Sequence, residues 1–229
     1  QNMENYKLTI EDGVITWVEN ADENGNPIEG ILYIPKEAVA FHPDAWIFLD
    51  TNADGIVVDE ENPAFSSAHN CLLSKDGKTL IKACKNSDVS KLTSLEIIGR
   101  DAFNDLNEER EEFIFHIPDG VKILDYRAFA INARNVKIVV PSSVRAIGAL
   151  AFMIHSDSTH IVFEGDAELE VGAFGTELEA KDSDIEVYNS MPSILYPKKE
   201  KLTVTCPKES KVSSYCKKYG INASGKTTN

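Results

Sequence analysis

The sequence predicts a mainly β fold with short helical and 3-10 segments, arranged as a solenoid of units of about 22–26 residues. Three observations predict it. First, an Ala-aromatic dipeptide recurs as Ala45-Trp46, Ala102-Phe103, Ala128-Phe129, Ala151-Phe152 and Ala173-Phe174, with the last three intervals at 26, 23 and 22 residues. Second, apolar residues hold fixed offsets before the aromatic: Ala38, Leu95, Val121 and Val144 eight residues before, and Phe41, Ile98, Leu124 and Ile147 five before. Third, the segments ahead of Pro35, Pro118 and Pro141 alternate with period 2, the spacing of a strand with one buried face.

Each element follows from that register. Leu32 and Ile34, Phe115 and Ile117, Ile138 and Val140, and Ile161 and Phe163 face one way along short strands. Proline, with no N–H to give a ladder, closes the strand. The pair Val144 and Ile147, followed by Gly148, turns the chain back, and Ala-Phe fills the space between layers. A unit this short cannot bury its own apolar face, so stacking is required. Residues 104–112, rich in Glu and Asn, read as a short helical insertion.

The run Val140-Pro141-Ser142-Ser143-Val144-Arg145-Ala146-Ile147-Gly148-Ala149-Leu150-Ala151-Phe152 resembles the BspA-type (Treponema pallidum-type) leucine-rich repeats of bacterial surface proteins. Glu11 to Thr16 is similar to that family's opening strand pair, Val57 to Ser67 to its strand-plus-loop insertion, and Leu72 to Ile81 to its hairpin with Asp76-Gly77 as the turn. Leu202 to Ile221 is similar to its last strand and capping helix. Departures are Leu92 in place of a proline, and His42 and Asp125 in place of glycine. The resemblance implies one leucine-rich-repeat-like solenoid over 1–229. In it, 1–31 are opening strands and cap, 32–196 are repeats with a hairpin insertion at 62–84, and 197–229 are the closing strand and helix.

Composition limits the partners. The chain carries 23 Lys+Arg and 37 Asp+Glu, a net charge of −14. Nucleic acid is disfavoured, because phosphate binding needs clustered cations, and an anionic membrane surface is disfavoured on the same sign. No apolar run approaches the roughly 18 residues of a membrane span. Residues 1–62 hold 14 acids against Lys7 and Lys36, whereas 197–229 hold eight lysines against two glutamates. Along a solenoid these would form an acidic end and a basic cap. Gln1-Asn2, with no Met before it, fits a mature secreted chain or a trimmed one.

Candidate chemistry is sparse. Asp50-Thr51-Asn52-Ala53-Asp54-Gly55 with Glu61 satisfies the spacing of a calcium loop, Asp50, Asn52, Asp54 and Glu61 being the ligands. Asn62-Pro63 opposes the exit helix such a loop needs, so an acidic interstrand turn is the preferred reading and calcium the alternative. Cys71, Cys84, Cys206 and Cys216 form two local pairs, read either as two disulfides or as four buried thiols. No nucleophile-and-base pattern or phosphate loop is present, which speaks against an enzyme. His116 and His160 are placed on equivalent outward strand positions, and Tyr188 to Pro197 is read as a loop covering the last repeat.

The outward positions Tyr33, His116, Lys137, Val139, His160 and Val162 are therefore the expected contact residues of a non-catalytic binding module without a cofactor. The resemblance implies an extracellular or cell-surface bacterial protein engaged in adhesion or protein recognition. Its partners would be host matrix proteins, such as fibronectin for some members of that family, or another bacterial surface protein. A structural spacer or display domain of the envelope, or a calcium-dependent module through residues 50–61, are the alternatives.

Overall fold

The computed structural model describes residues 6–19, 21–26, 28–47 and 53–226, without the side chains of 46, 47, 105–109 and 226. The chain divides into two compact units, Gln1–Leu95 and Glu96–Asn229.

In the first unit, β1 (Lys7–Glu11) and β2 (Val14–Glu19) form an antiparallel hairpin. Its turn is Asp12-Gly13, both at positive φ, where glycine meets no steric penalty. β3 (Ile31–Ile34) stops at Pro35, and the short β4 (Ala40–Phe41) pairs with β2 in parallel. A helical turn α1 (Pro43–Ile47) follows. β5 (Gly55–Val58) lies parallel to β3, setting Tyr33 beside Val57. β6 (Phe65–Ala68), β7 (Cys71–Ser74) and β8 (Thr79–Lys82) then run antiparallel, with reversals at His69-Asn70 and at Asp76-Gly77. Ile15, Leu32, Ile34, Ile56 and Leu72 form the core of this unit, each at most 1% exposed.

Asn62, fully buried, locks the turn between β5 and β6. Its amide nitrogen donates to the carbonyls of Pro35 (2.9 Å) and Ala38 (2.7 Å), while its oxygen accepts from the N–H groups of Ala64 and Phe65, both 2.9 Å. Asn62→Asp sets an oxygen against the two carbonyls. A loss of about 2 kcal/mol is expected, read as a fall in the urea midpoint. An unchanged midpoint would show that the turn does not depend on the amide.

The second unit is built from parallel ladders. β9 (Ile97–Ile98), β11 (Ile123–Leu124), β13 (Ala146–Ile147) and β15 (Glu168–Leu169) pair in register, placing Ile98, Leu124, Ile147 and Leu169 in one column. The longer β10 (Asp105–His116), β12 (Ile131–Val140), β14 (Ser158–Phe163), β16 (Leu202–Pro207) and β17 (Asn222–Lys226) form a five-stranded sheet, parallel throughout. The Ala-Phe dipeptides supply a column of rings. Phe103 stacks on Phe129 (5.0 Å between centroids, 9° between planes), Phe129 on Phe152 (5.9 Å, 13°) and Phe152 on Phe174 (5.7 Å, 19°). Phe115 of β10 and Phe163 of β14 pack onto this column from the long sheet.

Between β15 and β16 lie the short helices α2 (Glu177–Ala180) and α3 (Glu186–Asn189), whose Ala180 and Tyr188 cluster with Ala130, Leu150 and Met153, and α4 (Lys211–Lys218) lies between β16 and β17 in sequence. Ser210 caps α4 by accepting from the Ser213 N–H at 3.0 Å, and Asp166 accepts from Lys211 and Val212 at the same end. In the loop from Tyr188 to Pro197, the two tyrosines are buried and meet edge to face, whereas Ile194 is 82% exposed.

Mainly β with few helices describes this chain, but the solenoid is corrected. The strands belong to several separate sheets, antiparallel in the hairpins of the first unit and parallel in the second, and among the described residues they do not make a solenoid. The reason is local. Tight turns at positive φ fold residues 7–19 and 65–82 back on themselves, whereas the proline-terminated units lead each strand on to a parallel partner. With the solenoid goes the axis along which the charges were to be ordered. Residues 105–116 are also strand rather than the helical insertion expected at 104–112. Partners on β12, such as Ala133 opposite Arg110 and Asn135 opposite Glu112, impose the extended form on a charged stretch.

Candidate functional site

Five of the six expected contact residues share the outward face of the five-stranded sheet. The ladder register sets them in two rows: Ile114, Lys137, His160, Thr203 and Asn222 in one, and His116, Val139, Val162, Thr205 and Ser224 in the other. A third, shorter row holds Glu112, Asn135 and Ser158. The alternate residues Val136, Ile138, Val140, Ile161 and Val204 are buried beneath. Period-2 alternation therefore decides the face, since each strand turns alternate residues inward and the residues between them toward solvent.

His116 and His160 are not equivalent: His116 lies level with Val139 and Val162, His160 with Lys137. The two histidines differ by two residues in register, which keeps the face but changes the row. Tyr33 belongs to the first unit, where its hydroxyl donates to Asp59 at 2.7 Å, and the Asp59 carboxylate raises the pKa of the phenol. Sequence reasoning missed Ile114, which is 66% exposed. The signal was the unbroken apolar run Phe113-Ile114-Phe115, too long to be satisfied by one buried face.

The electrostatics of the face are unusual for so acidic a chain. Lys137 carries a formal charge within the two long rows, and acids stand at the margins, with Glu112 in the third row and Glu164 3.6 Å from the His116 ring. His160 bonds through Nε2 to Oγ1 of Thr205 at 2.8 Å. Burial, together with Lys137 beside it, holds the His160 imidazole below its ordinary value of 6.5. The folded chain takes up this proton at lower pH than the unfolded chain does, so stability falls as the pH drops through 6.5. Between about pH 7.5 and pH 5.5 the wild-type melting temperature is expected to fall further than that of His160→Gln. Parallel curves would remove His160 from the acid response.

Of the proposed calcium ligands, Asp50 and Asn52 lie outside the described residues. The Asp54 N–H donates to the carbonyl of Gly30, and Glu61 sits 3.6 Å from Lys36 at the surface. The chain beyond Glu61 enters strand β6, not a helix. Among the described residues no group of three or more His, Cys, Asp or Glu is placed to hold a metal ion. All four cysteines are free thiols, three of them buried, and burial pushes Cys84 and Cys216 up to about 12. They are accordingly poor nucleophiles. No helix among the described residues is long and apolar enough to cross a membrane.

No protein-family model matches the chain, and no curated protein matches it. Among solved structures it is similar to the crystal structure of the pneumococcal vaccine antigen PcpA. The identity is 13%, the TM-score 0.40, and the overlap covers 88% of this chain and 57% of that one. The chain thus spans a little over half the length of this neighbour.

Proposed function

We propose that the chain is a non-catalytic protein-binding module and that the outward face of the five-stranded sheet is its recognition surface. One observation carries the reading. All-parallel sheets are almost always covered on both faces, yet this one leaves a face open that combines Ile114, Val139 and Val162 with threonines and two histidines. Apolar residues at the centre with acids held to the margin suit a surface that a protein partner will dehydrate. The repeat residues around Val140 to Phe152 support a place among bacterial surface proteins of the BspA type, and with it an extracellular or cell-surface location. The proposed partner is a host matrix protein or another bacterial surface protein.

The test compares the wild type with Val139→Glu/Val162→Glu, which charges the face without touching the core, and with Lys78→Glu on the hairpin of the first unit. Each is immobilised and exposed to matrix and bacterial-surface extracts. A protein retained by the wild type and by Lys78→Glu but lost from the face variant supports the proposal. Equal retention by all three, or no retained protein at physiological salt, would leave a structural spacer as the better account.

A further inference from the structure

β17 closes the five-stranded sheet, and among the described residues no strand pairs with its outer side. Its register with β16 runs unbroken from Thr203 opposite Asn222 to Pro207 opposite Lys226. It has neither a bulge nor a proline of its own to blunt the edge. β16 buries alternate residues, Leu202, Val204 and Cys206. On β17, by contrast, Asn222, Ala223, Ser224 and Gly225 are all exposed, so no large side chain stands beside the outward N–H and C=O groups. An edge of this kind accepts a further strand through its main chain.

Both ends of that edge are basic. Residues 197–229 carry eight lysines against two glutamates, in a chain whose net charge is −14. Lys211 is held by Glu168 and Lys201 faces Asp157, but Lys199, Lys208, Lys217 and Lys218 form no ion pair among the described residues. Lys217 and Lys218 end α4 just before the turn into β17. Nζ of Lys199 reaches the same turn, 3.0 Å from where a Cβ on Gly220 would stand. At the other end the stem of Lys208 lies against Gly225, leaving no room for a Cβ there. We propose that β17 receives an extended acidic segment of a protein partner as a sixth strand of the sheet. Main-chain hydrogen bonds along 222–225 hold the segment, and its carboxylates meet Lys199 and Lys217 at one end and Lys208 at the other. Four residues of strand span about 13 Å, so a segment of about six residues reaches both groups of lysines. The edge is a site separate from the open face and does not depend on it.

The experiment uses the whole chain and a fluorescently labelled peptide alternating glutamate with valine, read by anisotropy at low salt. Binding is expected to slow hydrogen exchange at the outward amides of 222–225. Lys199→Gln/Lys208→Gln/Lys217→Gln, all at the surface, is expected to weaken binding about tenfold. Glu209→Gln, which removes an acid beside Lys208, is expected to tighten it about twofold, a gain that no folding defect can imitate. Full N-methylation of the peptide keeps its charge, removes its donors and is expected to abolish binding. The inference is overturned if the parent peptide does not bind, or if the N-methylated peptide binds as well. It is also overturned if the lysine variant binds as the wild type does, or if exchange at 222–225 is unchanged by the peptide. The two proposals fail separately. A partner protein lost from Val139→Glu/Val162→Glu, with no peptide bound at β17, sinks the edge and leaves the face. Peptide binding together with a partner retained by the face variant does the reverse.

Discussion

Phe129→Ala is expected to destabilise the Glu96–Asn229 unit by about 4 kcal/mol, the middle of the range for emptying a ring-sized site in a packed core. Phe129 is fully buried and occupies a middle position in the phenylalanine column, with Phe103 stacked on one side at 5.0 Å and Phe152 on the other at 5.9 Å. Phe113 and Phe115 of β10 also meet its ring, at 6.3 and 5.8 Å. Truncation therefore removes contacts on several sides at once, and the flanking rings, tied to backbone paired in register, cannot close the gap. Phe129→Leu retains most of the volume and should cost about 1–2 kcal/mol. Guanidinium unfolding of both variants, followed by far-UV circular dichroism, provides the comparison. A loss below about 1 kcal/mol for the alanine variant would mean that the column is not a principal source of cohesion.

Glu179→Gln is expected to cost about 3 kcal/mol, although it preserves shape. Glu179 is fully buried at the third position of α2. Its Oε1 accepts from the Phe174 N–H at 3.1 Å and from the Tyr215 hydroxyl, and its Oε2 accepts from the N–H and hydroxyl of Thr176 at 2.8 and 2.6 Å. Tyr215 has no other use for its proton there, because its oxygen already accepts from Gly172 and Ala173. Four donors converge on two acceptor atoms. An amide nitrogen in place of either oxygen points hydrogens at hydrogens, and a shape-conserving change becomes a severe one. Burial also raises the carboxyl above its ordinary range, the four donors acting against it. The folded state then holds the proton to higher pH than the unfolded chain does. The stability this group contributes is full in acid and declines as the pH rises through the folded value. The difference between wild type and Glu179→Gln should accordingly widen toward acid pH. Equal midpoints for the two proteins would show that the site tolerates donors.

Some of this was legible in the residues and some was not, for identifiable reasons. The recurring Ala-Phe dipeptide was legible as a repeat, whereas the stacking of its rings into a column follows from the parallel pairing of the strands. The outward face was legible from alternation, although the His116 and His160 rows were not, since period 2 fixes the side of a sheet and leaves register to the ladder. Glu and Asn at 104–112 pointed away from a strand, and only pairing with β12 overruled them. The buried Glu179 was hidden because glutamate is rarely buried. Its one trace was Thr176 three residues ahead, the spacing by which a glutamate reaches back to a helix start.

The parallel register of the second unit has a consequence for how the chain is made. β12 pairs with β14, and β11 with β13, at sequence separations of 23 residues. Each strand's partner is thus the next length of polypeptide to be synthesised, and little need be held waiting for a distant segment. The step from β14 to β16 departs from this, because Thr159 meets Leu202 only after the intervening helices. A nascent chain would acquire its rungs in the order in which they leave the ribosome, with one pause before the sheet is completed.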